Sequence, residues 1–180
     1  METLKRRHRV VLVLGGARSG KSSYAQKMAE KRWRRPVYLA TAEVQDEEMA
    51  ERIKKHREQR GSRWRCIEEP LALASVLADH NLACDGLLVD CLTLWLSNVL
   101  LKEGPEKFQA HKTELIEALH RRTHDVILVS NEVGMGIVPE NELGRTFRDQ
   151  AGLLNQAVAV EADVVVFIAA GLPLTLKGQV

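Results

Sequence analysis

Short apolar runs rich in β-branched residues alternate with longer segments whose apolar residues recur at helical spacing. The apolar runs occupy residues 9–16, 36–41, 86–91, 125–132 and 162–171. Continuous apolarity is typical of strands that are covered on both faces, as in the parallel sheets of α/β proteins. The segments between them predict helices at 20–33, 46–60, 70–79, 92–102, 105–122 and 142–161. This alternation predicts an α/β fold of three layers with a mainly parallel central sheet.

The stretch "GLPLTLK", residues 171–177, differs from the other runs because apolar and polar residues alternate after a glycine and a proline. This pattern predicts a short C-terminal hairpin return at the edge of the sheet. The chain has 180 residues and no repeat, low-complexity tract or linker. We therefore expect one domain over residues 1–180, with residues 1–8 as a flexible basic tail.

Composition and charge exclude several classes of protein. Hydrophobic residues make up 45% of the chain and charged residues 28%, as in soluble globular proteins. The net charge of +2 is too small to indicate a nucleic-acid partner. Three cysteines without close pairing argue against a disulfide framework or a zinc site. No apolar run approaches the roughly 18 residues of a membrane span, so a cytoplasmic protein is expected.

The first predicted strand ends in a glycine-rich turn that carries the main chemical signal. "GGARSGKS" fits the pattern GxxxxGK[ST], with a strand before it and an amphipathic helix after it. Backbone N–H groups of such a loop surround phosphate oxygens, the lysine reaches the β and γ phosphates, and the final hydroxyl binds Mg²⁺. The residues concerned are Gly15, Gly16, Ala17, Arg18, Ser19, Gly20, Lys21 and Ser22. The sequence thus predicts a nucleoside triphosphate site on a RecA-like P-loop NTPase fold.

A second Mg²⁺ ligand, besides Ser22, is expected at the end of another strand. Asp90 follows "GLLV" and Glu132 follows "VILVSN", and both would lie beyond the carboxyl ends of parallel strands. Asp90 is preferred because it ends its strand directly. It could also cap the helix that begins near Leu92, a role compatible with metal binding.

One predicted helix, residues 46–60, carries a candidate nucleophile. His56 follows Met49 and Ile53 at helical spacing, so its ring projects within roughly 20° of Met49 on the inward face. Taken alone, a histidine at this position is most simply interpreted as an ordinary core or surface residue. The basic residues around it suit a triphosphate better than a core. The other five histidines are predicted to be surface residues without partners.

These residues together resemble a known family. The strings "GGARSGKS", "DEEMAERIKKHR", "WRCIEEP", "SNEVGMGIVPENELGRTFRD" and "GLPLTLK" occur in order from about residue 10 to 177. They resemble the bifunctional adenosylcobinamide kinase/adenosylcobinamide-phosphate guanylyltransferases of cobalamin biosynthesis. The resemblance implies that ATP or GTP phosphorylates adenosylcobinamide. GTP then donates GMP to that phosphate through a covalent guanylyl-histidine, releasing pyrophosphate.

The resemblance also implies roles for individual residues. His56 would be the guanylylated residue and Lys21 a second catalytic group. Nucleotide contacts beyond the P-loop would fall on Ala40, Thr41, Ala42, Arg57, Glu58, Gln59, Arg60, Glu68 and Asp90. Without the resemblance, Thr41 would be interpreted as a cap and Glu68 as a solvated carboxylate at a strand end. The chain has Lys55 where some relatives have a second histidine, and Asp90 where they have a glutamate.

Partners follow from the same resemblance. It implies a corrinoid substrate, Mg²⁺, and a homotrimer. The glycine-containing segment 131–149 is expected to form the corrinoid end of the site, or else a structural or interface segment. Two other functions remain open at this point. One is a small-molecule P-loop kinase without guanylyl transfer, and the other is a P-loop ATPase that acts as a conformational switch.

Overall fold

The structure is a computed structural model that describes residues 8–43 and 61–180. Its strands are β1 (Val10–Gly15), β2 (Pro36–Ala40), β3 (Arg65–Glu68), β4 (Gly86–Asp90), β5 (Asp125–Asn131), β6 (Val164–Ala169) and β7 (Leu172–Lys177). Its helices are α1 (Lys21–Arg32), α2 (Leu73–Leu77), α3 (Leu92–Lys102), α4 (Pro105–Arg121) and α5 (Glu142–Glu161). All seven strands belong to one sheet in the order β3-β2-β4-β5-β1-β6-β7.

The sheet is parallel except at one edge. Strands β1 to β6 pair in parallel, and β7 returns antiparallel to β6. The turn between β6 and β7 consists of Ala170 and Gly171, both with positive φ, 50° and 80°. Such angles are those of a tight hairpin turn, in which glycine is favoured. The prediction of a mainly parallel sheet with a C-terminal hairpin is confirmed.

Helices cover both faces of the sheet, which explains why the strands are nearly continuous in apolarity. On one face, α1 packs with Ala25, Met28 and Ala29 against strand residues such as Val13 and Leu88. On the other face, α2, α3, α4 and α5 pack against the alternate strand residues. All six residues of β1 are buried, as its central position requires. The three-layer α/β architecture is therefore confirmed.

The predicted element boundaries agree with the observed ones within two residues at the P-loop helix, at α3, α4 and α5, and at every predicted strand. Two differences stand out. The helix predicted at 70–79 is only five residues long, and the strand Arg65–Glu68 was absent from the predicted strands. Strand β3 escapes the pattern because it lies at a sheet edge with three of its four residues exposed, so it lacks an apolar run. The helix predicted at 46–60 lies outside the described residues.

The predicted N-terminal tail includes residue 8, and the structure attaches this residue to the body of the protein. The carbonyl oxygen of His8 accepts hydrogen bonds from the guanidinium of Arg122 at 3.0 and 2.6 Å, and the His8 ring lies 3.7 Å from Asp125. Residue 8 thus does not belong to a free tail. In the part of the chain that the structure describes, no helix has both the length and the apolarity needed to cross a membrane.

Candidate nucleotide site

The P-loop joins the end of β1 to the start of α1. The loop closes on itself through a hydrogen bond from the Ser19 N–H to the Gly16 carbonyl, 3.2 Å. Gly20, the N-cap of α1, has φ 95°, a conformation that favours glycine. No described side chain caps the helix, so the first N–H groups of α1 point to the space where phosphate oxygens bind in such loops. The strand, loop and helix required by the motif are all present.

Gly15 is required by close packing at the start of this loop. A Cβ atom on Gly15 would lie 2.6 Å from the Ile168 carbonyl oxygen of β6 and 2.6 Å from the Ser19 hydroxyl oxygen. Both distances are well inside van der Waals contact, and the first neighbour is backbone that cannot rotate away. Any side chain would therefore push the loop off the adjacent strand.

Neighbouring elements support the loop from behind. The Gly171 N–H of the β6–β7 turn donates to the Ser19 carbonyl at 2.8 Å. The Glu132 N–H, just after β5, donates to the Gly15 carbonyl at 3.1 Å. The loop is thus held by segments from both strands that flank β1.

Lys21 folds back across the loop. Its ammonium nitrogen lies 3.1 Å from the Gly16 carbonyl oxygen, and the residue is 8% exposed. A buried ammonium that donates to main-chain carbonyls keeps its charge close to the loop. This position is where the motif places the lysine that contacts phosphates.

Asp90 lies at the same edge of the sheet as the P-loop. It ends β4, and its carboxylate oxygen Oδ2 accepts a hydrogen bond from the Tyr38 hydroxyl at 3.1 Å. Because side chains alternate along a strand, Asp90 shares a face with Leu88, which packs with α1. Strand β5 separates β4 from β1, so two strand spacings of about 4.8 Å place Asp90 roughly 10 Å across from the loop.

The pKa of the Cys91 thiol is influenced by charged groups in the same region. Burial is the largest influence and raises its pKa, and the negative charge of Asp90 raises it further. The hydroxyl of Thr93 and the positive charge of Lys21 act in the opposite direction. The end of β4 and the P-loop lysine are therefore within electrostatic reach of each other. The Asp90–Cys91 peptide is cis.

The other candidate metal ligand, Glu132, makes a hydrogen bond within its own loop. Its carboxylate oxygen Oε1 accepts the Gly134 N–H at 2.8 Å. Asp90 likewise has one oxygen, Oδ2, in a hydrogen bond to the described residues, so each carboxylate has its other oxygen available to a ligand. The hydroxyl of Ser22 and the carboxylate of Asp90 are the hard oxygen donors that Mg²⁺ prefers, with phosphates and water completing its octahedron. The donor set fits this metal, although the described residues hold no cluster of three or more acidic, histidine or cysteine ligands.

The predicted contacts on β2 and β3 lie at the same edge, farther from the P-loop. Ala40 pairs with both Asp90 and Glu68. Glu68 is exposed at the end of β3, four strands from β1, or roughly 19 Å at about 4.8 Å per strand. Thr41 is completely buried, whereas Ala42 is half-buried. His56 and the predicted contacts Arg57, Glu58, Gln59 and Arg60 lie outside the described residues.

A chain of buried and partly buried polar side chains runs under this edge and was missed by the sequence analysis. The Asn131 amide donates to the Thr93 hydroxyl at 2.8 Å, and Asn155 of α5 donates to the Asn131 carbonyl at 3.1 Å. The hydroxyl of Thr93 also lies 3.0 Å from the Cys91 sulfur. Asn131 was recognisable, because a polar residue ends an apolar strand there. Nothing in the sequence paired it with Thr93 or Asn155.

The prediction that the remaining histidines are surface residues without partners is wrong for most of them. His111 lies 3.0 Å from Glu103 and edge-on to the Trp95 ring at 6.2 Å. His120 lies 3.2 Å from Glu161, and His124 is buried. These contacts join helices to their neighbours, which the spacing within one helix cannot predict.

Comparison with known proteins agrees with this geometry. A family model described as cobinamide kinase / cobinamide phosphate guanyltransferase matches residues 11–176. The bifunctional adenosylcobalamin biosynthesis protein CobP of Pseudomonas aeruginosa is 48% identical over 168 residues, covering 93% of this chain and 97% of that protein. The CobU protein of Salmonella typhimurium is 38% identical, covering 93% of this chain and 99% of that protein.

Among solved structures, the VirB11 ATPase of the Brucella suis type IV secretion system is similar, with a TM-score of 0.45 and 14% identity. That likeness covers 94% of this chain but spans only 47% of the VirB11 chain. The sequence relatives, by contrast, match almost end to end. The chain belongs to the cobinamide kinase / cobinamide phosphate guanyltransferase family.

Proposed function

We propose that this chain is a bifunctional enzyme that phosphorylates adenosylcobinamide and then transfers GMP from GTP to the adenosylcobinamide phosphate. The observation that carries the proposal is the family match over residues 11–176, which includes a complete P-loop at the carboxyl edge of the sheet. The close relatives are named as bifunctional proteins of adenosylcobalamin biosynthesis.

In the first reaction, the hydroxyl oxygen on the aminopropanol arm attacks the γ-phosphorus of ATP or GTP. The bond from this phosphorus to the bridging oxygen breaks, the nucleoside diphosphate leaves, and the hydroxyl proton is released to solvent. Lys21 and the N–H groups at the start of α1 support this step because they place positive charge and donors at the phosphates. Ser22 and Asp90 would hold Mg²⁺, which would neutralise charge on the phosphates.

In the second reaction, a ring nitrogen of His56 attacks the α-phosphorus of GTP and pyrophosphate leaves. A phosphate oxygen of adenosylcobinamide phosphate then attacks the same phosphorus, the P–N bond breaks, and adenosylcobinamide-GDP is formed. The covalent intermediate divides one difficult displacement into two easier ones. The contacts proposed for the nucleotide are the P-loop residues together with Ala40, Thr41, Ala42, Arg57, Glu58, Gln59, Arg60, Glu68 and Asp90.

Several wider properties belong to the same proposal. The single seven-stranded sheet supports one catalytic domain over residues 1–180. A cytoplasmic homotrimer acting on a corrinoid remains the expectation that the family resemblance raises. The described residues 131–149 begin at the end of β5, at the same edge as the P-loop, which supports their assignment to the corrinoid end of the site.

The experiment that tests this function is incubation of the pure protein with Mg²⁺ and GTP labelled at the α-phosphate, followed by denaturation. Acid-labile, base-stable label is expected on the wild type and not on His56→Ala. Adenosylcobinamide phosphate should then remove the label. Release of γ-phosphate without any protein label would instead favour a plain kinase or a P-loop ATPase.

A further inference from the structure

Strand β2 and the residue that follows it contact the end of β4 at two points, the carboxylate of Asp90 and the main chain of Cys91. The first point is the Tyr38 hydroxyl, which donates to Asp90 Oδ2 at 3.1 Å. Tyr38 is 7% exposed, and the Trp64 ring packs edge-on against its ring, with the centroids 6.2 Å apart. A buried ring held in this way restricts where the hydroxyl can be, and hence where the carboxylate oxygen rests.

The second point is the side chain of Thr41. Its hydroxyl donates to the Cys91 carbonyl at 2.7 Å and accepts the Cys91 N–H at 2.9 Å. Thr41 is completely buried, so this hydroxyl has no route to solvent. One hydroxyl thus holds both the N–H and the carbonyl of Cys91, the residue that directly follows Asp90.

We propose that β2 and the residue after it position Asp90 for metal binding: Tyr38 orients the carboxylate, and Thr41 fixes the main chain that follows it. Asp90 then presents Oδ1 to the divalent cation of the nucleotide complex. The inference rests on the proposed function in taking Asp90 as the metal ligand, and it makes Tyr38 and Thr41 positioning residues. For Thr41 this role differs from the direct nucleotide contact implied by the family resemblance.

The chemistry of the cation explains why such positioning would matter. Mg²⁺ requires near-octahedral geometry with short metal–oxygen distances, so a carboxylate that swings freely binds it poorly. Groups that hydrogen-bond to a ligand carboxylate orient it, and their removal typically weakens metal affinity about 10- to 100-fold. Tyr38 and Thr41 supply this support from β2 and the residue after it, and β2 is not a hydrogen-bonded neighbour of β1 in the sheet.

The test measures cation binding directly, without catalysis. Full-length protein is saturated with a GTP analogue that has a methylene bridge between the α and β phosphorus atoms, and Mn²⁺ is titrated while electron paramagnetic resonance reports free Mn²⁺. Tyr38→Phe should weaken Mn²⁺ binding about tenfold. Its affinity for the analogue without metal should stay within about twofold of wild type, because the P-loop is unchanged. Tyr24→Phe is the matched control, since the chain has only two tyrosines and the Tyr24 hydroxyl has no hydrogen bond to the described residues.

A second pair of variants separates positioning from folding. Thr41→Ser retains the hydroxyl and should bind Mn²⁺ more tightly than Thr41→Val, which removes it. If Tyr38→Phe is too unstable for its Mn²⁺ affinity to be measured, this pair of Thr41 variants tests the proposal instead. The proposal is overturned if Tyr38→Phe and Thr41→Val both bind Mn²⁺ normally. It is equally overturned if Asp90→Asn binds Mn²⁺ normally, because Asp90 is then not the ligand.

Failure of this proposal can be told apart from failure of the proposed function. The Mn²⁺ titration needs neither a corrinoid nor transfer of GMP, whereas the labelling of His56 needs GMP transfer. If the protein is labelled normally but Tyr38→Phe does not change Mn²⁺ affinity, the proposed function stands and only the positioning role of Tyr38 and Thr41 is rejected.

Discussion

The side-chain amide of Asn98 donates to the Thr41 carbonyl at 2.8 Å and to the Pro70 carbonyl at 3.1 Å. Asn98 lies in α3 and is 4% exposed, so it joins the segments that follow β2 and β3 beneath the nucleotide edge. The buried Thr41 carbonyl and the partly buried Pro70 carbonyl would both lose this donor if the amide were lost.

We therefore expect Asn98→Leu, which keeps the shape of the side chain, to lower the free energy of unfolding by about 2 kcal/mol. Urea denaturation followed by circular dichroism measures this change. Ser97→Ala on the same helix is the control and should stay within about 0.5 kcal/mol of wild type. Equal urea midpoints for Asn98→Leu and wild type would contradict the assignment of this bridge.

Gly15→Ala should disrupt the P-loop. The added Cβ would meet the Ile168 carbonyl oxygen at 2.6 Å, so the loop must shift and its N–H groups lose their alignment. Nucleotide affinity should fall at least about tenfold, the order expected when one or more charge-assisted hydrogen bonds are lost. Fluorescence titration with a labelled GTP measures this effect.

Gly152→Ala is the control for that experiment. Gly152 lies inside α5 with open space where a Cβ would be. Alanine there should raise the free energy of unfolding by about 0.5 to 1 kcal/mol and leave nucleotide binding unchanged. If Gly15→Ala and Gly152→Ala bound GTP with the same affinity, the close approach of Gly15 to β6 would not be needed for nucleotide binding.

Asp85 should make part of the stability depend on pH. Its carboxylate accepts the N–H groups of Arg35 and Arg34, and it pairs with the Arg35 guanidinium at 3.3 Å. The hydrogen bond from the Arg35 N–H is the largest cause that lowers the pKa of Asp85 below its ordinary 3.8. The folded state thus binds this proton more weakly than the unfolded state. The stabilisation is present above about pH 4 and is lost as the pH falls through the lower folded value.

Asp85→Asn should accordingly cost about 1 kcal/mol near neutral pH, a modest figure because the side chain is 33% exposed. The difference from wild type should shrink as the pH falls below about 4. Urea midpoints across this range measure it. Glu117→Gln, which breaks an exposed pair with Arg121, should show almost no difference at any pH. A constant deficit of Asp85→Asn at all pH values would show that charge is not its cause.

The three cysteines should differ in reactivity. Burial raises the pKa of Cys84 to about 11 and also raises that of Cys91, whereas Cys66 is exposed on β3. Because the thiolate is the reactive form, a disulfide reagent at about pH 8 should modify one thiol quickly in the native protein and all three after denaturation. Cys66→Ser should abolish the fast reaction, and any fast thiol in that variant would contradict the burial of Cys84 and Cys91.

Most of the fold was predictable because apolar runs and helical spacing are local signals. The P-loop was predictable for the same reason, since eight consecutive residues carry it. Strand β3 was not, because an exposed edge strand such as Arg65–Glu68 lacks the apolar pattern of a buried one. The contacts that support the site could not be predicted from the sequence either. The Tyr38–Asp90 hydrogen bond joins residues 52 positions apart, and only the pairing of β2 with β4 brings them together.

The position of β1 in the sheet has a consequence for how the protein is made. Its two partners, β5 and β6, are separated from it by more than a hundred residues of sequence. The P-loop also takes a hydrogen bond from Gly171. The loops that bring β5 and β6 beside β1 must close before these pairs can form, so β1, which leaves the ribosome before either partner, stays unpaired until they are made. A nascent chain arrested before residue 164 has exited should therefore bind no GTP, however complete its P-loop sequence is.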